Sequence, residues 1–183
     1  MLQPQNISDY FISLLKEGDV AIDATAGNGY DTLKLCKAVG NSGKVYAFDI
    51  QKDAIENAKI RVKDWNNAEF ILDSHSNMDI YISEPVQGVL FNLGYLPGGN
   101  HNLQTKAQTT IEAIEKALNL ICDNGFVSVM VYYGKNSGTE EKEAVMDYLK
   151  KLDHKKYTVI TIDFHNRPNN PPLNVVITKN NTL

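Results

Sequence analysis

Short apolar runs alternate along this chain with longer stretches whose apolar residues recur every three or four positions. That alternation constrains the fold more than any other feature. A run of four to eight apolar residues suits a strand buried on both faces, and a period near 3.6 suits a helix lying on a sheet. Strand-like runs occur at Val20–Asp23, Lys44–Asp49, Glu69–Asp73, Gly88–Asn92, Phe126–Tyr133, Tyr157–Phe164 and Asn174–Thr178. Helical stretches fall between them at Tyr30–Ala38, Lys52–Val62, Ser76–Ile82, Thr105–Ile121 and Thr139–Leu152, with a further one at Ile7–Lys16 capped by Asn6 or Ser8. Asp123-Asn124-Gly125 is expected to stop the longest helix. The pattern predicts an α/β fold with a seven-stranded, mostly parallel sheet and helices on both faces. In such sheets ligands bind beyond the carboxyl ends of the strands. The residues just after each strand therefore carry the information about function.

Composition narrows the class. The 183 residues match one domain over 1–183, and 43% apolar with 22% charged residues excludes a disordered, collagen-like or disulfide-stapled chain. With 18 Lys and Arg against 22 Asp and Glu, the net charge of −4 excludes a protein that coats nucleic acid by bulk positive charge, though not one with a local basic face. Cys36 and Cys122 form no paired motif and read as reduced thiols. No run approaches the length of a membrane span, and Met1–Asn6 shows no charged and apolar leader pattern, so a cytoplasmic location is expected.

The first strand runs into Asp23-Ala24-Thr25-Ala26-Gly27-Asn28-Gly29-Tyr30-Asp31-Thr32. Gly27 and Gly29 permit close backbone approach and positive φ. A dinucleotide fingerprint beginning at Gly27 would need glycine or alanine where Thr32 stands, so that match fails. A carboxylate at Asp23 repels a pyrophosphate and attracts a cation, which favours S-adenosylmethionine over NAD. Asp49, at the end of the second strand, suits acceptance from two ribose hydroxyls; it would equally serve as a helix cap, a role open also to Asp53. Asp73, at the end of the third strand, can accept from an adenine amino group or cap the next helix. Three acids at three successive strand ends, one beside a glycine loop, point to a nucleoside-binding, Rossmann-like domain.

The fourth strand enters Phe91-Asn92-Leu93-Gly94-Tyr95-Leu96-Pro97-Gly98-Gly99. Asn92 and Tyr95 have the spacing of the N-P-P-Y motif of amino-group methyltransferases, with Gly94 in place of the second proline. An Asn oxygen can accept from an amine and turn its lone pair toward a methyl group, while an aromatic ring stacks on a flat base. Positioning then supplies most of the acceleration.

D-A-T-A-G-N-G-Y-D-T (Asp23–Thr32), F-D-I-Q (Phe48–Gln51) and N-L-G-Y-L-P-G-G (Asn92–Gly99) occur in an order and spacing that resemble a bacterial family labelled as rRNA methylases, the tRNA 5-(aminomethyl)-2-thiouridine methyltransferases. The resemblance covers nearly the whole chain. It implies a class I methyltransferase that uses S-adenosylmethionine, forms a homodimer and N-methylates the aminomethyl group of a wobble uridine in the tRNA anticodon loop; no metal is expected, since no His/Cys/Asp spacing suggests a metal site. It implies Asn92 and Tyr95 as catalytic residues. The implied cofactor set is Asp23, Thr25, Ala26, Gly27, Asn28, Gly29, Asp31, Thr32, Asp49, Ile50, Gln51, Asp73, Ser74, His75, Asn92, Leu93 and Gly94. Substrate contacts are expected from Tyr95, Leu96, Pro97, His101, Lys135 and Arg167.

The fifth strand departs from the family pattern V-Y-x-G-H-x-G-G-x-x-E: Lys135 replaces the usual His and Ser137 a Gly. Lys135 is thus a candidate phosphate contact or a solvated loop lysine. Arg167 lies in a loop stiffened by Pro171-Pro172, read as a substrate or dimer contact or a plain connector. Neither His75 nor His154 has a metal-ligand spacing. Other readings are a methyltransferase of rRNA or of a small-molecule amine, an NAD-dependent oxidoreductase, and a non-catalytic nucleoside- or RNA-binding module. The charge balance predicts modest, salt-sensitive tRNA affinity.

Overall fold

The computed structural model describes residues 3–94, 105–134 and 138–181. Its strands are β1 (Val20–Asp23), β2 (Lys44–Asp49), β3 (Ala68–Leu72), β4 (Val86–Leu93), β5 (Ile121–Val131), β6 (Tyr157–Ile162) and β7 (Leu173–Lys179). They form one sheet in the order β3-β2-β1-β4-β5-β7-β6. β7 runs antiparallel to both β5 and β6, and the remaining pairs are parallel. The helices are α1 (Pro4–Ile12), α2 (Tyr30–Val39), α3 (Lys52–Arg61), α4 (Met78–Tyr81), α5 (Ala107–Leu120) and α6 (Thr139–Leu149).

Alternation along the strands sorts these helices onto two faces. Ala21, Val45, Leu90, Phe126 and Val176 pack with Ile12 and Leu15 from the α1 segment and with Leu35, Cys36 and Val39 of α2. Ala47, on the same face, meets Ala58 of α3. The intervening residues Ile22, Tyr46, Phe48, Val89 and Phe91 point the other way, into a larger cluster with Met78, Ile114, Leu118, Val145 and Leu149. The central strands are buried on both faces, as their continuous apolar runs require. Successive strands step outward from β1 to β2 and β3, then return to β4 on its other side. The switch point lies between β1 and β4, and it is there that such sheets open a crevice.

Several element ends shift by one to three residues from expectation, and three segments differ in a way that has a physical reason. α1 starts at Pro4 and stops at Ile12, because Pro4 can fill a first-turn position without needing its missing N–H. Asn6 lies inside that helix and accepts from the Gln3 amide at 2.8 Å. α5 ends at Leu120, before the Asp123-Asn124-Gly125 stop. Ile121 is already extended and pairs with Val86, whereas Gly88 pairs with Phe126, so the stop forms an irregularity within β5, with Asn124 at φ 62°. The segment expected as one helix over Ser76–Ile82 divides into a 3₁₀ turn, His75–Asn77, and α4. Among the described residues no helix is long and apolar enough to cross a membrane.

Candidate cofactor and acceptor site

The glycine loop is tied to strands on both sides. The Ala24 amide donates to the Leu90 carbonyl and the Ala26 amide to that of Phe48, both at 2.8 Å. Gly27 and Gly29 have φ of 51° and 77°. At Gly29 a side chain is excluded by space as well: a Cβ there would lie 2.6 Å from the Cα of Ala58 on α3. The Gly27 amide donates to Asp49 Oδ2 at 3.0 Å, and Asp49 Oδ1 accepts from the Gln51 amide at 2.9 Å. Asp49 thus braces the loop and its own turn, with lone pairs left on each oxygen. Ile50, next to it, is 58% exposed, an apolar surface at the strand ends.

Asp23 has a different role from the one its position suggests. It is fully buried. Its Oδ2 accepts from the Thr32 hydroxyl at 2.6 Å and its Oδ1 from the Thr25 amide at 3.2 Å. Burial pushes the carboxyl up to about 7, and the charge of Asp31 adds to this against the hydrogen bonds from Thr32 and Thr25. Asp23 and Thr32 therefore lock the inside of the loop, and the Asp23 carboxylate does not face outward as a partner for a cation, as its position had suggested. Leu93 is likewise a core residue with no exposed surface.

Asp73 accepts from the Ser74 amide at 2.7 Å, from Asn77 Nδ2 at 3.1 Å and from the Tyr81 hydroxyl at 2.9 Å. Burial raises its carboxyl, but these hydrogen bonds together hold it below the usual range. The Ser74 hydroxyl caps the 3₁₀ turn by accepting from the Ser76 amide. His75 is buried beneath the loop: Nδ1 lies 3.0 Å from the Ala24 carbonyl and the ring meets Phe91 edge-on. Burial lowers its pKa, so the neutral ring donates from Nδ1 to that carbonyl.

At the end of β4 the Asn92 amide donates to Thr25 Oγ1 at 2.8 Å, and its side-chain Nδ2 donates to Asp31 Oδ2 at 3.0 Å. Among the described residues no donor meets Asn92 Oδ1. The Gly94 amide donates to Thr105 Oγ1 at 2.9 Å; that hydroxyl donates to Glu141 Oε2 at 2.8 Å, and Thr110 donates to Glu141 Oε1 at 2.6 Å. Glu141 is buried and fully engaged. Tyr132, beside Leu93 at the end of β5, has its phenol pushed up by burial and by the charge of Asp31.

Sequence reasoning did not single out Thr105, Glu141, Tyr132 or Arg61. Arg61 donates to the Asn28 carbonyl at 2.6 Å and covers the Tyr30 ring at 3.6 Å. The available signal was the family pattern for Tyr132 and Glu141; Thr105 and Arg61 left none. Arg167 covers the Phe164 ring and donates to Gln3 Oε1 at 2.7 Å, tying its loop to the start of α1. Tyr95, Leu96, Pro97, His101 and Lys135 lie outside the described residues. Among the described residues no cluster of His, Cys, Asp and Glu could hold a metal ion.

The strand order with its β1/β4 switch, the glycine loop after β1 and the acids at the ends of β2 and β3 are those of the Rossmann-like fold of S-adenosylmethionine-dependent methyltransferases. Within that class the chain belongs to the family described as "Putative rRNA methylase", whose model matches residues 45–178. A Clostridium thermocellum protein of the same description is 45% identical, with a TM-score of 0.95 and 98% of each chain covered. A Streptococcus mutans "putative methyltransferase", solved in complex with SAH, is 38% identical at a TM-score of 0.90, covering 98% of this chain and 99% of that one. The chloroplastic tRNA (mnm(5)s(2)U34)-methyltransferase of Arabidopsis thaliana is 38% identical over 173 residues, 87% of this chain and 63% of that protein. The chain thus spans less than two thirds of that plant relative. Ribosomal RNA small subunit methyltransferase H of Halothermothrix orenii is 34% identical over 83 residues, 43% of this chain.

Proposed function

We propose that this protein transfers a methyl group from S-adenosylmethionine to the primary amine of a 5-aminomethyl-(2-thio)uridine at the tRNA wobble position. Asn92 carries the reading. Its backbone is fixed by Thr25 of the glycine loop and its Nδ2 by Asp31, which leaves Oδ1 to accept from an incoming amine. An amine held this way presents its lone pair, and positioning at the reacting distance lowers the barrier without a strong base.

The residues present fit the cofactor. A glycine loop held in a left-handed turn at Gly27, φ 51°, and lone pairs on Asp49 suited to ribose hydroxyls are features that a nucleoside site requires. Gly27, Asp49, Ile50 and the Asp73 turn would hold it, with Ile50 against the base. When bound, S-adenosylmethionine supplies an electrophilic methyl carbon on a sulfonium. The Streptococcus mutans relative with SAH supports this assignment, and the Arabidopsis relative supports the tRNA substrate.

The reading includes action on the anticodon loop, a homodimer and a cytoplasmic location, the last in keeping with two free cysteines. The dimer rests on the family resemblance alone, and sedimentation measures it. A second reading, methylation of rRNA, is supported by the family description and by the Halothermothrix orenii relative. Mass analysis of nucleosides from a deletion strain separates the two: unmethylated aminomethyl-uridine should accumulate in bulk tRNA while rRNA stays unchanged. The reverse pattern would select the rRNA reading.

A further inference from the structure

Asp31 falls in the glycine-loop motif, which groups it with the cofactor residues, but its contacts lie on the acceptor side. Oδ2 accepts from Asn92 Nδ2 at 3.0 Å and Oδ1 from Lys34 Nζ at 3.0 Å. Lys34 Nζ also lies 2.7 Å from Asp9 Oδ1 of α1, a charge contact in which that oxygen receives no aligned hydrogen bond. Three helix-borne charges therefore end on one amide. The Asp31 side chain is only 18% exposed, so water competes weakly for it.

The orientation of an Asn amide is set by its partners. A neutral partner able both to donate and to accept would satisfy either end. An ionised carboxylate only accepts. With Asp31 as partner, Nδ2 must face Asp31 and Oδ1 must face away from it. That orientation decides what the site can take. With the oxygen presented, a group bearing N–H donors is held with its lone pair free. With Nδ2 presented, the same amine would have to give its lone pair to Asn92, the pair needed for bonding to the methyl carbon.

We infer that Asp31 is a positioning residue of the acceptor: it fixes the Asn92 amide with Oδ1 toward the incoming amine, and Lys34 and Asp9 anchor it to α1. This rests on the proposed amine methylation, but the amide geometry exists without any substrate, so the two can be tested apart.

Asp31→Asn keeps the shape and removes the acceptor-only constraint. Methyl transfer to tRNA bearing 5-aminomethyluridine should show kcat lowered at least tenfold, with KM for tRNA and SAH affinity by calorimetry within about twofold. Lys34→Met, which leaves the Asp31–Asn92 bond in place, should lower kcat only a few-fold. In the ligand-free protein, the Asn92 Nδ2 protons, assigned by their loss in Asn92→Ser, should be protected from exchange and lose that protection in Asp31→Asn. Unchanged kcat in Asp31→Asn would overturn the inference. So would a tenfold loss of SAH affinity with kcat retained, or unprotected Nδ2 protons in the wild type. If the wild type leaves aminomethyl tRNA unmodified, the functional reading fails, and the exchange measurement still decides the role of Asp31. Should Asp31→Asn not fold, the wild-type and Lys34→Met exchange data decide it.

Discussion

The carboxyl of Asp23 keeps its proton up to about pH 7 in the folded chain, because burial, aided by the charge of Asp31, disfavours ionisation. In the unfolded chain it releases the proton near 3.8. Between those values the folded state binds more protons, so this group makes stability fall as pH rises from about 4 to about 7 and leaves it level above that, the whole loss being a few kcal/mol at most. Asp23→Asn removes the charge. Its melting temperature should be as high as the wild type's, or higher, at pH 8, and the difference should shrink or reverse at pH 5. Parallel melting profiles across this range would refute the assignment. A second residue-scale test separates the two halves of the site. Asn92→Ala should lose most turnover, at least about 100-fold, roughly 2.7 kcal/mol of barrier, with SAH affinity little changed. Asp49→Ala should weaken SAH binding at least tenfold by calorimetry.

Elements explain why these residues stand where they do. α2 and α3 cross closely at Gly29 and Ala58, and the loop between β1 and α2 is shaped by that contact. Gly29→Ala would combine a left-handed backbone, which costs about 1–2 kcal/mol without glycine, with a clash against the α3 backbone. It should lower the melting temperature by more than about 4 °C, on the scale of about 2–4 °C per kcal/mol for a domain of this size, and abolish SAH binding. A variant that binds SAH as the wild type does would show that the packing is not needed. Most elements were legible in the sequence, since central parallel strands are continuous apolar runs and their covering helices keep a 3.6 period. The end of α5 was not: a glycine turn stops a helix and interrupts a strand equally well, and only the pairing of Ile121 with Val86 distinguishes the two. The positions of the acids were legible as well. Their division of labour was not, because spacing places a carboxylate at a strand end without showing which donors reach it. Asp23 turned inward to Thr32, and Asp31 outward to Asn92, by hydrogen bonds that no motif encodes.

For the whole molecule, the sheet order brings to one edge the glycine loop, the Asp49 and Asp73 turns, Asn92 and Tyr132. The net charge of −4 counts four acids at this edge, Asp23, Asp31, Asp49 and Asp73, and Asp23 is partly neutralised by its proton at neutral pH. Acids gathered at these strand ends suit a sulfonium and an amine, and they leave RNA phosphates to residues elsewhere, so affinity for tRNA should fall with added salt. The central claim is that these strand ends join a methyl donor to an aliphatic amine on tRNA. The most direct measurement incubates the purified protein and S-adenosylmethionine with tRNA from cells lacking the protein, then weighs the nucleosides by mass spectrometry. The account predicts that 5-aminomethyl-(2-thio)uridine gains one methyl group and that Asn92→Ala does not support this gain. Unaltered tRNA nucleosides, from wild-type protein that binds SAH, would contradict it.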